Sequence, residues 1–332
     1  MEVYFDDSIS RNRRSGQPGK EIKLNKDFVW EGQKGSAASL YVFPEGMVMD
    51  ICLSIPRDDA EQYFKKWNFE RRTSYLTNEE MDELERENPF LERFKVKCKV
   101  NGSSLKWKNM YAVGWHPFSD ERGGIDQEAE FFMNHYGCDR DGVWKFVRCF
   151  YLWEAERQTE IHTLDLIFQS EPMPYTADHF ITKVGDAGKK ISFTHPVTHE
   201  KYRLEICGCE FGKLPENSGH MFPDREEMIL PDNMQMLTYR VSPEIAGRDF
   251  YIQDTSQSDA PKKCGEEIIN ASAMSVSVIG GMEGPAMDSQ AGRCKETSTV
   301  YSSLHFKKVE EIQWRIVFNV KGKKDLHLSI AL

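Results

Sequence analysis

The sequence predicts a mainly β protein of antiparallel β-sandwich architecture, arranged as two sandwich-like domains with two short helices in the first. Three observations lead there. Short stretches in which apolar and polar residues alternate recur along the 332-residue chain, each bounded by turn-forming residues. Aromatic residues make up 12% of the chain, a content that suits pleated surfaces. Only two segments combine helical spacing with a start signal. The best boundary is Glu171-Pro172-Met173-Pro174, which separates a β-rich domain over 20–172 from a second over 173–332.

Residues 1–19 are polar, with Arg11, Arg13 and Arg14 ahead of Gly16-Gln17-Pro18-Gly19, and read as a flexible N-terminal arm. From Leu40 a hairpin is expected, turning at Phe43-Pro44-Glu45-Gly46 into the apolar stripe Met47, Met49, Ile51, Leu53, Ile55. A helix follows with Ala60, Tyr63, Phe64 and Trp67 on one face behind Asp58 and Asp59. A second helix opens on Thr77-Asn78-Glu79-Glu80, where Thr77 and Glu80 can satisfy each other's backbone N–H, and Asn88-Pro89 stops it.

The most legible stretch runs from Arg93 to Trp115. Phe94, Val96, Cys98 and Val100 alternate with Arg93, Lys95, Lys97 and Lys99, and Asn101-Gly102 signals a type I′ turn. On the return strand Leu105, Trp107, Tyr111 and Val113 share one parity. This register sets Lys97 opposite Lys106 and Lys95 opposite Lys108. Like charges across a sheet repel, so that face needs a negative partner. The acidic helix over 78–88 is the expected one, being tethered close by; an external anion is the alternative.

After Trp115 comes a loop, then a strand through Phe131 and Phe132, and a turn at Asp139-Arg140-Asp141-Gly142. The segment VWKFVRCFYLWE is apolar on both parities and is expected to be covered on both faces. A strand over 160–169 places His162 on the parity of Leu164, Leu166 and Phe168. The second half opens with a hairpin pairing Ile191, Phe193 and His195 with Ile206, Leu204 and Tyr202. It closes with another, Ile312 to Val320 returning as Leu326 to Leu332 around Lys321-Gly322-Lys323-Lys324.

A net charge of −10 disfavours nucleic acid and anionic membrane as principal partners, although a local basic patch can still hold an anion. The first residues lack the apolar core of a signal peptide, and no apolar run is long enough to span a membrane. Eight cysteines in a chain of this length do not make a disulfide framework. Reduced thiols in a cytoplasmic protein are the economical expectation.

Two weak sites stand out. His116, Asp120, Glu121 and His135, with Asp126, Glu128 and Glu130 nearby, are candidate acid–base residues in the 116–135 loop. Lys95, Lys97, Lys106 and Lys108, with Trp107 and Trp115 as stacking platforms, are candidate binding residues. His195, His199, Cys207 and Cys209 have zinc-like spacing, but the hairpin register holds the two histidines away from the cysteines, so no metal or cofactor is expected.

Residues 272–287, SAMSVSVIGGMEGPAM, resemble a short Gly-Gly-Ala-Asp-Gly-Pro-Thr segment of the membrane β subunit of sodium-pumping carboxylate decarboxylases. Gly280, Gly281, Gly284 and Pro285 match, whereas Met282-Glu283 replaces Ala-Asp and Ala286 replaces Thr. The resemblance carries over no function, and the segment reads as a strand ending in a glycine loop.

The expected function is a non-enzymatic binding or interaction module for a protein, small-molecule or carbohydrate ligand. The alternative is a hydrolase or carbohydrate-active enzyme that uses the carboxylates and histidines of the 116–135 loop.

Overall fold

The computed structural model describes residues 1–5, 16–67, 76–91, 94–118, 127–154, 160–214, 228–260, 262–263 and 297–332. Arg93, Asp120, Glu121, Asp126 and the segment 272–287 lie outside them. The fold is mainly antiparallel β. Its strands are β1 (Lys20–Trp30), β2 (Gln33–Val42), β3 (Gly46–Ile55), β4 (Phe94–Val100), β5 (Ser103–Trp115), β6 (Val143–Trp153), β7 (Thr163–Ser170), β8 (Pro172–Lys183) and β9 (Lys190–Thr194). They continue with β10 (Lys201–Lys213), β11 (Met228–Ile229), β12 (Asn233–Ser242), β13 (Phe250–Asp254), β14 (Lys262–Lys263), β15 (Ser298–Tyr301), β16 (Glu311–Lys321) and β17 (Leu326–Ala331). The helices are α1 (Arg57–Lys66), α2 (Asn78–Glu87) and α3 (Gln127–Tyr136).

The chain divides into two compact units. The first comprises Met1–Thr73, Leu84–Pro172 and Lys321–Leu332; the second comprises Ser74–Glu83 and Met173–Val320. In the first, one eight-stranded sheet in the order β1-β2-β3-β6-β5-β4-β7-β17 wraps around a single core, and all its strands supply side chains to that core. Its two end strands approach each other, and the Trp30 indole N–H donates to the Lys324 carbonyl at 2.7 Å. The second unit faces a four-stranded sheet, β15-β12-β10-β9, with a three-stranded one, β13-β16-β8. Between them lies a core built on Trp314, Phe318, Phe250 and Leu204.

Several expectations hold. Val42 pairs with Met47 across the first turn. Helix α1 buries Ala60 and Tyr63. Both Thr77 bonds of the capping box form, Thr77 N–H to Glu80 Oε2 at 2.8 Å and Glu80 N–H to Thr77 Oγ1 at 3.2 Å. Asn101 and Gly102 take the positive φ values, 48° and 80°, that a type I′ turn requires.

The N-terminal arm is corrected at its first residues. Val3 is buried, its carbonyl accepts the Gly19 N–H at 2.9 Å, and Phe5 packs on Phe43 and Phe150. The apolar residues Met1, Val3 and Phe5 alternate, which is the signal that a polar reading of the whole segment overlooks.

The central hairpin is corrected in a way that matters for function. Ladder pairing joins β4 to β5 only near the turn, Val100 with Ser103 and Lys99 with Ser104. Along its other edge β4 pairs with β7 over its whole length, which sets Lys95 against Gln169, Lys97 against Ile167 and Lys99 against Asp165. A bulge at Lys108 then reverses the parity of β5. Leu105, Trp107 and Met110 reach the inner core, whereas Tyr111, Val113 and Trp115 pack on the outer face.

Residues 127–136 form a helix where the sequence suggested a loop and then a strand. Ala129, Phe132 and Met133 are buried at i, i+3 and i+4, a spacing that outweighs the Phe131-Phe132 doublet. The last hairpin does not form: β16 lies between β13 and β8, and β17 pairs with β7 in the first unit. In the hairpin of β9 and β10 the register is offset by two residues, Phe193 facing Tyr202 and Ile191 facing Leu204. An even offset keeps the same residues on the same face. His162 precedes β7 and its side chain is 68% exposed.

Candidate functional site

The first unit has two contrasting faces. Over β2, β3, β6 and the far half of β5, the outer surface is apolar and covered by residues 1–5 and α3. Both faces of β6 are thus buried, as its unbroken apolar run implied. Polar groups trapped under this cover are bonded to one another. Arg148 donates through Nε to Asp50 Oδ1 at 2.7 Å and through Nη2 to Asp50 Oδ2 at 2.8 Å, and its guanidinium lies 4.8 Å from the Phe132 ring centroid. Tyr136 donates to Asp50 Oδ2 at 2.7 Å and meets the Tyr41 hydroxyl at 3.1 Å.

At the rim of the same network, Glu21 Oε1 accepts from Ser39 at 2.7 Å and Tyr41 at 3.1 Å, and lies 2.7 Å from His135 Nε2. Burial pushes the Glu21 carboxyl up, but the bonds from Ser39, His135 and Tyr41 outweigh it, so Glu21 sits below the ordinary carboxylate range. Burial and then the Asp50 charge push both the Tyr136 and Tyr41 hydroxyls upward. This network holds α3 in place, and its groups are committed to one another.

His116 belongs to a different cluster, with its ring 4.8 Å from Phe64, 6.0 Å from Phe90 and 5.3 Å from Phe118. The structure therefore does not bring His116 and His135 into one described constellation, and Asp120 and Glu121 lie outside the described residues. Trp107 stands edge-on to Tyr151 at 5.8 Å on the core side. Trp115 is half-buried, donates to the Arg140 carbonyl at 3.1 Å and carries the Arg140 guanidinium 5.6 Å from its ring. Neither indole is set out as a free platform.

In the second unit Cys207 is exposed, whereas Cys209 is buried and donates to Gln235 Oε1 at 3.1 Å; a bulge between Ile206 and Gly208 separates residues that simple parity would align. His195 Nδ1 accepts the Val197 and Thr198 N–H groups at 3.1 and 3.0 Å. Among the described residues no group of three or more His, Cys, Asp or Glu is placed to hold a metal ion.

The other face of the first unit, over β4, β7 and β17, points its inner residues into the core and its outer ones to solvent. Lys95, Lys97 and Lys99 are exposed on β4, and Lys106 is exposed on β5, two residues along from the partner of Lys99. Lys95 pairs with Glu171 at 2.8 Å. Lys108 lies under the cover on the opposite side, with its ammonium 4.8 Å from the Phe5 ring.

Carboxylates of α2 that were expected over the lysines are engaged elsewhere. Asp82 takes Arg315 at 2.6 Å, Glu79 takes His179 at 2.9 Å, and Glu87 takes Lys66 and the Trp67 indole at 2.7 Å each. Among the described residues Lys97, Lys99 and Lys106 make no ion pair.

A comparison of the chain with protein families, with curated proteins and with solved structures found no match. No helix among the described residues is long and apolar enough to cross a membrane.

Proposed function

We propose that this protein is a non-enzymatic interaction module that binds an acidic segment of another protein through the lysine face of its first unit. One observation carries the reading: Lys97, Lys99 and Lys106 stand exposed on adjacent strands and make no ion pair among the described residues, although Asp165 lies across the ladder from Lys99. Same-face residues two apart on a strand are about 7 Å apart, a spacing that an extended or helical acidic peptide can match. Like charges that share one face repel, and an acidic ligand relieves that repulsion on binding.

The chain's net charge of −10 works against this at long range. At physiological ionic strength the screening length is about 8 Å, so the local lysine row governs what docks there. The same net charge favours an acidic protein segment, which can align a few carboxylates, over a long polyanion. The free thiols among the described cysteines fit a cytoplasmic setting for such a module.

The test is fluorescence anisotropy with a labelled oligoglutamate peptide. Wild-type protein should bind it with an affinity that falls as salt rises. The combined Lys97→Glu, Lys99→Glu, Lys106→Glu variant should bind about tenfold or more weakly, while Lys201→Glu on β10 should leave binding unchanged. No binding by the wild type, or equal binding by the triple variant, would remove the proposal.

A further inference from the structure

Cys52 projects from the outer face of β3, where it is 4% exposed, and Cys138 follows α3 in the chain and is half-exposed. Both belong to the apolar cluster of Phe132, Met133 and Phe146 that lies under α3. Cys138 packs against the cluster that contains Cys52, and each thiol shifts the other's ionisation, with Cys52 as the donor side. The two differ in setting. Cys52 is held in a ladder between Ser36 and Phe146, whereas Cys138 sits in the short connection between α3 and the Asp139–Gly142 turn.

The other described thiols lack this combination of a thiol partner and access. Cys98 and Cys149 are buried in the inner core, Cys209 is sealed against Thr182 and Gln235, and exposed Cys207 bonds to the Glu205 carbonyl. We propose that Cys52 and Cys138 form a redox-modification site that reacts with a small-molecule disulfide of the glutathione class.

Cys138 attacks first. Its thiolate displaces one glutathione from the oxidised dimer, breaking that S–S bond and forming a mixed disulfide at Cys138. Cys52 then loses its proton and attacks the Cys138 sulfur, closing a Cys52–Cys138 bond and expelling the second glutathione. The two protein thiols give up two electrons and two protons, and one external disulfide becomes two thiols.

The order of attack follows from the environment. The hydrogen bond from Cys52 holds Cys138 below the ordinary thiol range despite partial burial, and solvent reaches it. Cys52 is pushed up by donating that same bond and then by burial. Once Cys138 is a mixed disulfide its negative charge is gone, which removes the largest effect that holds the proton on Cys52 and leaves burial and the Asp50 charge. The product would fasten the end of α3 to β3.

The experiment incubates the full chain with oxidised glutathione, alkylates the remaining thiols and maps every cysteine peptide by mass spectrometry. Wild type should yield a Cys52–Cys138 cross-link with both glutathione halves released as thiols. Cys52→Ser should stop at a stable glutathione adduct on Cys138, and Cys138→Ser should leave Cys52 alkylatable. Cys138 remaining free in wild type, or glutathione persisting on it beside an intact Cys52 thiol, would overturn the proposal. Because the wild-type map decides this alone, a misfolded serine variant does not rescue it.

Discussion

Asp50 and Arg148 face each other directly across the β3–β6 ladder and are joined by two bonds, at 2.7 and 2.8 Å, with Asp50 wholly buried. Tyr136 of α3 supplies a third bond to the same carboxylate. Arg148 also reaches Met1 Sδ at 3.6 Å and lies over the Phe132 ring, but Arg148 is the counter-charge that bonds the Asp50 carboxylate.

Removing one partner should therefore be far more damaging than removing both. Arg148→Leu leaves a buried carboxylate without its counter-charge and should cost about 3–5 kcal/mol. The double variant Asp50→Leu, Arg148→Leu should recover much of that loss. Urea unfolding of the three proteins reads the difference, and a single-variant loss under about 1 kcal/mol would mean the pair is not sealed.

Glu21 adds a pH dependence of definite sign. Its folded carboxyl lies below the ordinary value of 4.5, so its contribution is fully present above that value and is lost as pH falls through the folded one. Glu21→Gln should flatten the acid side of the stability curve and leave its neutral and alkaline side parallel to wild type. Thermal melts across the acid range measure this. Parallel curves throughout would show that Glu21 is not held by Ser39, Tyr41 and His135.

The capping box of α2 offers an independent check on the first turn of that helix. Thr77→Ala removes the acceptor of the Glu80 N–H and should lower stability by about 1 kcal/mol. Thr77→Ser keeps the hydroxyl and should stay close to wild type. Chemical unfolding distinguishes them, and equal loss in both would place the effect in packing rather than capping.

Several local patterns were legible in the sequence where one segment contained its whole signal, although α3 was missed despite the local spacing of Ala129, Phe132 and Met133. The Phe94, Val96, Cys98, Val100 stripe is buried residue for residue, the Asn101-Gly102 turn has its two positive φ values, and the capping box closes. Non-local facts were not legible. Nothing in β17 says that it leaves its neighbour in sequence to pair with β7, because Leu326, Leu328 and Ile330 suit either partner. A single bulge at Lys108 sends Tyr111 and Val113 to the opposite face from Trp107. β1 escaped notice because its polar residues and a register shift between Lys23 and Lys26 break the alternation. His135 stood out as a polar residue of interest, but its partner Glu21 is far away in the chain, and only the fold brings them together.

The lysine face has the same history. Its residues are visible in the sequence, but the place of β7 beside β4 and the partners of the α2 acids come only from the fold. The most direct measurement of the proposed role is backbone-amide NMR of the intact chain titrated with the oligoglutamate peptide. Binding at this face should move the amides of Lys97, Lys99, Lys106 and their neighbours Asp165 and Ile167 in β7, with the shifts fading as salt is raised. Shifts confined to the second unit, or none in β4 and β7 at peptide saturation, would contradict it.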